Sequence, residues 1–205
     1  MQRDKFFESW SERHGNAKVT GIVKTWLSIS YFVAKILCKF KLSANTITIL
    51  GLIFAILLYM NAKLIWAPLF LVLSLLSDGI DGSLAIISGK SSKWGALLDS
   101  IVDRLSELFW ILALYQLGIN LNLLTTILVF ASVQEYIRAR SGGLGLNDIG
   151  LVTIAERPVR ASFVFIVLIL FNLNSELFYL PIYLWLIFQT VSLLMLLKHA
   201  RAKLS

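Results

Sequence analysis

Cysteine, proline and charged residues are all scarce in this chain of 205 residues. Its single cysteine, Cys38, has no partner for an intrachain disulfide, so the fold depends on none. With only three prolines, little in the sequence interrupts long helices. Charged residues make up 15% of the chain and hydrophobic residues 58%, which is more than a water-facing surface tolerates. The composition excludes an ordinary soluble domain and indicates a protein whose solvent is largely lipid.

The net charge of +7 would suggest a nucleic-acid partner if the protein were soluble. Here, however, the Lys and Arg residues lie between apolar runs and do not form one folded basic face. We therefore expect no nucleic-acid partner. Anionic membrane lipids and phosphate-bearing substrates are the partners that this charge pattern favours.

Apolar segments of about 20 residues are long enough to cross a bilayer as helices, and the chain contains six candidates. The sequence predicts an all-α integral membrane protein of one domain, residues 1–205, in which a cytoplasmic and interfacial region, 1–43, precedes a membrane bundle, 44–198. The six predicted transmembrane helices cover approximately residues 45–62, 65–87, 95–117, 121–139, 158–173 and 177–197.

Basic residues collect on one side of this predicted bundle. The N-terminal region, the connections that contain Lys90 and Arg140, and the C-terminal tail are rich in Lys and Arg, whereas the connections on the other side contain only Lys63. By the positive-inside rule the basic side is cytoplasmic. We expect a multi-pass protein of the cell membrane with both termini and the active site on the cytoplasmic side.

The segment from Thr20 to Lys41 is amphipathic. Polar residues recur at spacings of three and four, opposite an apolar face that includes Trp26 and Ile36. This pattern predicts a helix that lies in the membrane interface with its lysines toward anionic lipid. A soluble helix packed on a partner would show a similar pattern and is the alternative.

Five acidic residues fall in or beside the predicted spans, where an isolated carboxylate costs about 2.5 to 3.5 kcal/mol on insertion scales. Spacings of three and four place the acids of each neighbouring pair on one helix face, so two faces could bring four carboxylates together. Oxygen ligands without His or Cys suit Mg²⁺ or Mn²⁺. Salt bridges to Arg104 and to loop residues are the alternative, and we expect Glu107 to support Arg104. The five acids are Asp78, Asp81, Asp99, Asp103 and Glu107.

The segment from Asp78 to Asp103 resembles the signature of the CDP-alcohol phosphatidyltransferase family, D-x-x-D-G-x-x-A-R-x8-G-x3-D-x3-D. Every specified position agrees except one: Ile86 stands where the family usually has Arg. An isoleucine cannot replace the phosphate-binding donors of a guanidinium group. Either another basic residue substitutes, with Lys90, Lys93 and Arg104 as candidates, or the substrate differs, or catalysis is lost.

The resemblance implies a metal-dependent transferase that joins a CDP-activated lipid to an alcohol and releases CMP. It implies that Asp103 is the general base for the acceptor hydroxyl, and that the protein forms a homodimer. The implied ligands of Mg²⁺ or Mn²⁺ are Asp78, Asp81, Asp99 and Asp103. The implied nucleotide-binding residues are Asn45, Thr48, Asp78, Gly82 and Ala85. The sequence departs from the family here too, because Ala44 replaces a proline that is usual before Asn45. Without the resemblance, Ser43 or Asn45 would be interpreted as a helix cap.

Two basic segments resemble the phosphatidylinositol phosphate synthase branch of this family, whose acceptor is a phosphorylated inositol. They run from Gln134 to Arg140 and from Glu156 to Arg160. Guanidinium groups at these positions could bind a phosphomonoester, although the positive-inside pattern alone would also account for them. The expected acceptor-binding residues are Arg138, Arg140, Arg157 and Arg160.

Two alternatives to a polyol or inositol phosphate acceptor remain at this point. Glycerol phosphate is a rival acceptor within the same family. A non-catalytic divalent-cation transporter would also place carboxylates inside the membrane. A cation pathway would not require Gly82, Ala85 and Gly95 beside the aspartates, so the motif favours the enzyme over the transporter.

Overall fold

The computed structural model describes residues 1–13, 15–146 and 151–204, and over these residues it is helical, without strands. This confirms the predicted all-α class. A short 3₁₀ helix, Glu176–Tyr179, precedes the last α-helix. The α-helices of the described residues are α1 (Arg3–Arg13), α2 (Gly21–Lys39), α3 (Ala44–Met60), α4 (Ala67–Ser88), α5 (Lys93–Gln116), α6 (Leu121–Gly143), α7 (Arg157–Asn172) and α8 (Leu180–Leu204).

Helices α3 to α8 coincide with the six apolar segments, with small differences at their ends. The largest differences are at two C-terminal ends: α8 continues past the predicted residue 197 to Leu204, and α6 continues past the predicted residue 139 to Gly143. Hydropathy marks where a segment turns polar, but a helix continues as long as its backbone hydrogen bonds do. Local signals explain other ends: the side chain of Asn120 caps the N-terminus of α6, and Pro158 lies in the first turn of α7.

Three helical segments of the described residues are long and apolar enough to cross a membrane: Gly21–Lys39, Ala67–Ser88 and Glu176–Leu204. Ala44–Met60 is apolar but shorter. The membrane character of the chain is thus confirmed, whereas the count of six spans stays a prediction. The interfacial placement of α2 also stays a prediction, because the length and composition of α2 would allow a span as well.

The chain divides into two compact units. The first unit contains Met1–Ile56 and Val72–Ser106. In it, α2 packs along α4: the Oγ of Ser83 donates to the Oγ of Ser30 at 3.0 Å. Nearby, Ala34 forms an apolar core with residues of α3 and α4, namely Ile47 and Leu84.

The second unit contains Leu57–Leu71 and Glu107–Ser205. Helices α6 and α8 are joined through Gln189, whose Nε2 donates to Oε1 of Gln134 at 2.7 Å, and both side chains are fully buried. Phe163 of α7 stacks on Trp185 of α8 with 6.2 Å between ring centroids. A buried amide pair of this kind favours one register of the two helices, since slippage would break a hydrogen bond that no water can replace.

Candidate functional site

Three of the four motif aspartates converge in the first unit. Asp78 lies on α4, Asp99 and Asp103 lie one turn apart on α5, and one carboxylate oxygen from each lies within 4.8 Å of the others. All three residues are half-buried. Small side-chain rotations would let these oxygens share a divalent cation. A set of hard oxygen donors fits Mg²⁺ or Mn²⁺ and not a soft metal.

The fourth aspartate, Asp81, lies outside that group of three and is nearly buried, with 5% of its surface exposed. Its Oδ2 accepts a hydrogen bond from Oγ1 of Thr48 at 2.5 Å, and its Oδ1 accepts one from the backbone N–H of Gly82 at 2.5 Å. These bonds fix the orientation of the carboxylate while lone pairs remain on both oxygens. Thr48, expected at the nucleotide, therefore also positions Asp81.

The small residues of the motif differ in what surrounds them. A Cβ atom at Gly79 would collide with the indole ring of Trp26, and one at Gly95 would lie 3.2 Å from Oδ1 of Asn45. A Cβ atom at Gly82 would meet no atom within 4 Å. Gly79 and Gly95 thus permit close packing within the first unit, whereas Gly82 faces open space. Ser43, not Asn45, caps α3, since its Oγ accepts from the N–H of Thr46 at 3.1 Å.

In the second unit, Arg160 is completely buried and its guanidinium group is surrounded by acceptors. Nε donates to Oε1 of Glu107 at 2.9 Å, Nη2 donates to Oε1 of Glu135 at 3.2 Å, and Nη1 donates to the carbonyl of Ala155 at 3.0 Å. Nη2 also lies 2.8 Å from Glu107. A buried charge is tolerated only when it is paired and hydrogen-bonded in this way.

Arg138 is held in a second set of ion pairs. Nη1 donates to Oε2 of Glu156 at 2.9 Å, Nη2 makes a very short contact with Oε1 of the same carboxylate, and Nη1 also lies 3.4 Å from Glu135. The backbone N–H and the hydroxyl of Thr153 each donate to Glu156 at 2.7 Å. Burial disfavours the charged form of Glu156, but the hydrogen bonds from Arg138 and Thr153 outweigh it and hold the pKa of Glu156 below its ordinary value.

The remaining two arginines of the predicted acceptor site are placed differently. Arg140 is exposed near the end of α6. Arg157, half-buried at the start of α7, lies over the ring of Trp110 at 5.4 Å from the centroid, a cation–π geometry. The four arginines thus comprise two that are enclosed by glutamates, one that is exposed and one that stacks on an aromatic ring.

Sequence reasoning missed the acids that surround the arginines. Glu107 pairs with Arg160, 53 positions away, and its expected support of Arg104 stays a prediction. Glu135 and Arg138 have the i,i+3 spacing of a helical pair, but no local spacing indicates the distant pairs of Glu107 with Arg160 and of Glu156 with Arg138. The only available signal was that an acid inside an apolar span requires compensation.

A family model, CDP-alcohol phosphatidyltransferase, matches residues 41–197, which is most of the chain. The chain belongs to the CDP-alcohol phosphatidyltransferase family. The convergent aspartates of α4 and α5 lie within the matched region and are the residues of its signature.

Several curated proteins resemble this family member along the sequence. The phosphatidylinositol phosphate synthase of Streptomyces avermitilis is 34% identical over 139 residues, which cover 62% of this chain and 57% of that protein. The corresponding synthase of Cutibacterium acnes is 31% identical, covering 64% of this chain and 70% of that protein. The archaetidylinositol phosphate synthase of Pyrococcus horikoshii is 29% identical, covering 76% and 85%. The chain thus matches little more than half the length of the Streptomyces relative.

Solved structures share the fold. The crystal structure of Mycobacterium tuberculosis phosphatidylinositol phosphate synthase in complex with manganese and citrate aligns with a TM-score of 0.72 at 22% identity, covering 83% of this chain and 88% of that one. The same enzyme with CDP-DAG bound gives a TM-score of 0.69, also at 22% identity, covering 84% and 94%. At this level of identity the likeness shows the architecture of the family and leaves the chemistry to the residues of the site.

Proposed function

We propose that this protein transfers a phosphatidyl-type group from a CDP-activated lipid to the hydroxyl of an inositol phosphate or related polyol phosphate and releases CMP. The observation that carries the proposal is the convergence of the Asp78, Asp99 and Asp103 carboxylates in a chain of this family. Membership of the family also favours an enzyme over a cation transporter.

Asp78, Asp81, Asp99 and Asp103 are the proposed ligands of Mg²⁺ or Mn²⁺. Bound there, the cation would neutralise negative charge on the diphosphate and on the departing CMP. Thr48 holds Asp81 in a fixed orientation, and partners of this kind commonly change metal affinity 10- to 100-fold, roughly. Asn45, Gly82 and Ala85 are the proposed nucleotide contacts, supported by the open space in front of Gly82.

Asp103 is the proposed general base. It would accept the proton of the acceptor hydroxyl as that oxygen attacks the lipid-side phosphorus. A new P–O bond to the acceptor then forms while the bond between that phosphorus and the CMP oxygen breaks, and CMP leaves with the electron pair. The protein therefore needs no covalent intermediate, only two substrates held in line.

For the acceptor, the environments of the arginines support a division of roles. Arg140 and Arg157 are proposed to bind the phosphomonoester, because Arg140 is exposed and Arg157 stands at the start of a helix, where anions are favoured. Arg138 and Arg160 are proposed to act at the acceptor site mainly by positioning, since their donors are already directed at Glu156, Glu135 and Glu107.

The proposed setting is a multi-pass membrane protein of six spans, folded as one catalytic domain, with α2 in the cytoplasmic interface. The distribution of Lys and Arg supports placing both termini and the active site on the cytoplasmic side. A homodimer is part of the proposal, by resemblance to the family.

The test is CMP release by purified protein supplied with CDP-diacylglycerol and Mg²⁺ or Mn²⁺, comparing inositol phosphate, glycerol phosphate and free inositol as acceptors. Turnover with inositol phosphate is the expected result. Turnover with glycerol phosphate alone would support the proposed reaction but show that glycerol phosphate, and not inositol phosphate, is the acceptor. Silence with all three acceptors would overturn the proposal.

A further inference from the structure

The position at which this chain departs from its family's signature is buried. Ile86 is 5% exposed and forms an apolar cluster with Leu27 of α2 and Phe6 of α1. Phe6 is fully buried and is the buried residue of α1, a helix whose other side chains are mostly polar. The N-terminal helix therefore covers the site that in the family usually carries a phosphate-binding arginine.

Helix α1 is fastened to this site by further contacts. The rings of Phe6 and Tyr31 lie 5.4 Å apart, and the hydroxyl of Tyr31 donates to the carbonyl of Met1 at 2.8 Å. Partly buried aromatic residues pack around the cluster, among them Phe7, Trp10 and Trp26. Helix α1 thus closes over an apolar surface to which α2 and α4 both contribute.

The contacts of α4 with α2 and α1 follow one helical face. Gly79 meets the indole of Trp26, Ser83 bonds to Ser30, and Ile86 meets Leu27 and Phe6. Positions 79, 83 and 86 are spaced four and three apart and so lie on one side of α4. The same helix carries Asp78 and Asp81. The contacts that fix the position of this face therefore also fix the directions of the two carboxylates.

We propose that Ile86 is the anchor of the N-terminal helix, and that α1 and α2, docked at this anchor, position the aspartate-bearing helix so that a nucleotide diphosphate is bound without an arginine from this position. Ile86 and Phe6 are then positioning residues for metal-dependent nucleotide binding. The proposal rests on the proposed function, because it assumes that a CDP diphosphate is the ligand.

An arginine at position 86 would not simply restore the family's ligand. Its guanidinium group would enter a cluster made of Phe6 and Leu27 with no acceptor among these side chains, and a buried charge without a partner is strongly unfavourable. The arginine would displace α1 to reach water. Isoleucine at this position and the aromatic face of α1 are therefore two parts of one arrangement.

The first measurement is hydrogen exchange of the full chain in detergent micelles. Phe6→Ala and Ile86→Ala should each speed exchange of the α1 amides, and the double variant should exchange no faster than the faster single variant, since both remove the same contact. Phe32→Ala, at a residue of α2 that is 65% exposed, is the control and should leave α1 protected. Unchanged protection in both single variants would overturn the anchor.

The second measurement is the binding of CDP in the presence of Mn²⁺. Phe6→Ala should weaken it about tenfold, a size typical of residues that orient metal ligands without touching the metal, while Phe6→Leu should restore most of the affinity. Ile86→Arg should expose α1 and fail to tighten CDP binding. Tighter binding with α1 still protected would overturn the proposal. If the unaltered chain bound no CDP, the proposed function would fail, whereas the exchange experiment would still decide the anchor.

Discussion

Arg160 donates from Nε to Oε1 of Glu107 across 2.9 Å, in surroundings that leave Arg160 no exposed surface. The two residues are 53 positions apart on α5 and α7. An isolated ion of either sign would be expelled from such a place. The pair, extended by Glu135, therefore ties three helices of the second unit together at one point.

The ion pair predicts that Arg160 is a stability determinant. Arg160→Met removes the guanidinium group that pairs with buried Glu107, and breaking a buried pair in this way costs about 3 to 5 kcal/mol. We expect a large drop in the thermal unfolding midpoint in detergent. Arg140→Met, at an exposed position on α6, is the matched control and should leave the midpoint nearly unchanged while raising KM for the acceptor phosphate. If Arg160→Met raised KM for the acceptor phosphate as Arg140→Met does and lost no stability, the two arginines would have the same role, contrary to this prediction.

Asp103→Asn is predicted to remove the general base and keep the fold. The amide is nearly isosteric with the carboxylate but cannot accept the hydroxyl proton, and the loss of such a base typically lowers the rate by about 10²- to 10⁴-fold. The check is the rate of CMP release by detergent-purified variant protein with an unchanged elution profile. Ser100→Ala, an exposed residue of the same helix, should retain activity. Full activity in Asp103→Asn would assign the proton transfer to another group.

Glu156 is predicted to make the second unit sensitive to acid. Its pKa is lowered in the folded chain, so its contribution to stability is fully present above the unfolded-state value of about 4.3 and is lost as the pH falls through the folded-state pKa. The stability difference between the unaltered chain and Glu156→Gln should thus be large near neutral pH and shrink below about pH 4. Thermal melts of both proteins across this pH range provide the measurement. A difference that stays constant with pH would mean that the charge of Glu156 does not act through Arg138.

The substitutions Gly79→Ala and Gly82→Ala are predicted to have different effects on stability and on CDP binding. At Gly79 the added methyl group meets the Trp26 ring, and overpacking costs about 1 to 3 kcal/mol, against a gain of about 1 kcal/mol in helix propensity. At Gly82 the methyl group meets open space, so the unliganded fold should gain stability while CDP binds more weakly. Thermal melts and CDP titrations with Mn²⁺ separate the cases. Combining Gly79→Ala with Trp26→Leu should recover the lost stability, and failure to recover it would show that Trp26 is not the obstacle.

Much of the helical framework could be predicted from the sequence because its signals are local. A run of apolar residues long enough to cross a bilayer predicts a helix wherever it occurs, and α3 to α8 follow those runs. The i to i+3 and i to i+4 spacings of the aspartates likewise predict which carboxylates share a helix face. The first inference uses the hydropathy of a run and the second uses the helical repeat, and neither depends on the rest of the chain.

Partners far apart in the sequence were decided by the tertiary structure. Asp81 lies beside Thr48 and outside the group of three converging carboxylates, Arg160 pairs with Glu107, and Ile86 lies beneath Phe6. In each case the sequence indicates only a requirement: a buried acid needs a hydrogen-bond or ion-pair partner, and an apolar side chain needs other apolar groups to pack against it. Many residues could meet such a requirement, and the packing of the helices selects one. The sequence alone determined the chemistry available to this protein, and only the folded chain decided which groups meet, because side-chain contacts depend on distances that local periodicity does not specify.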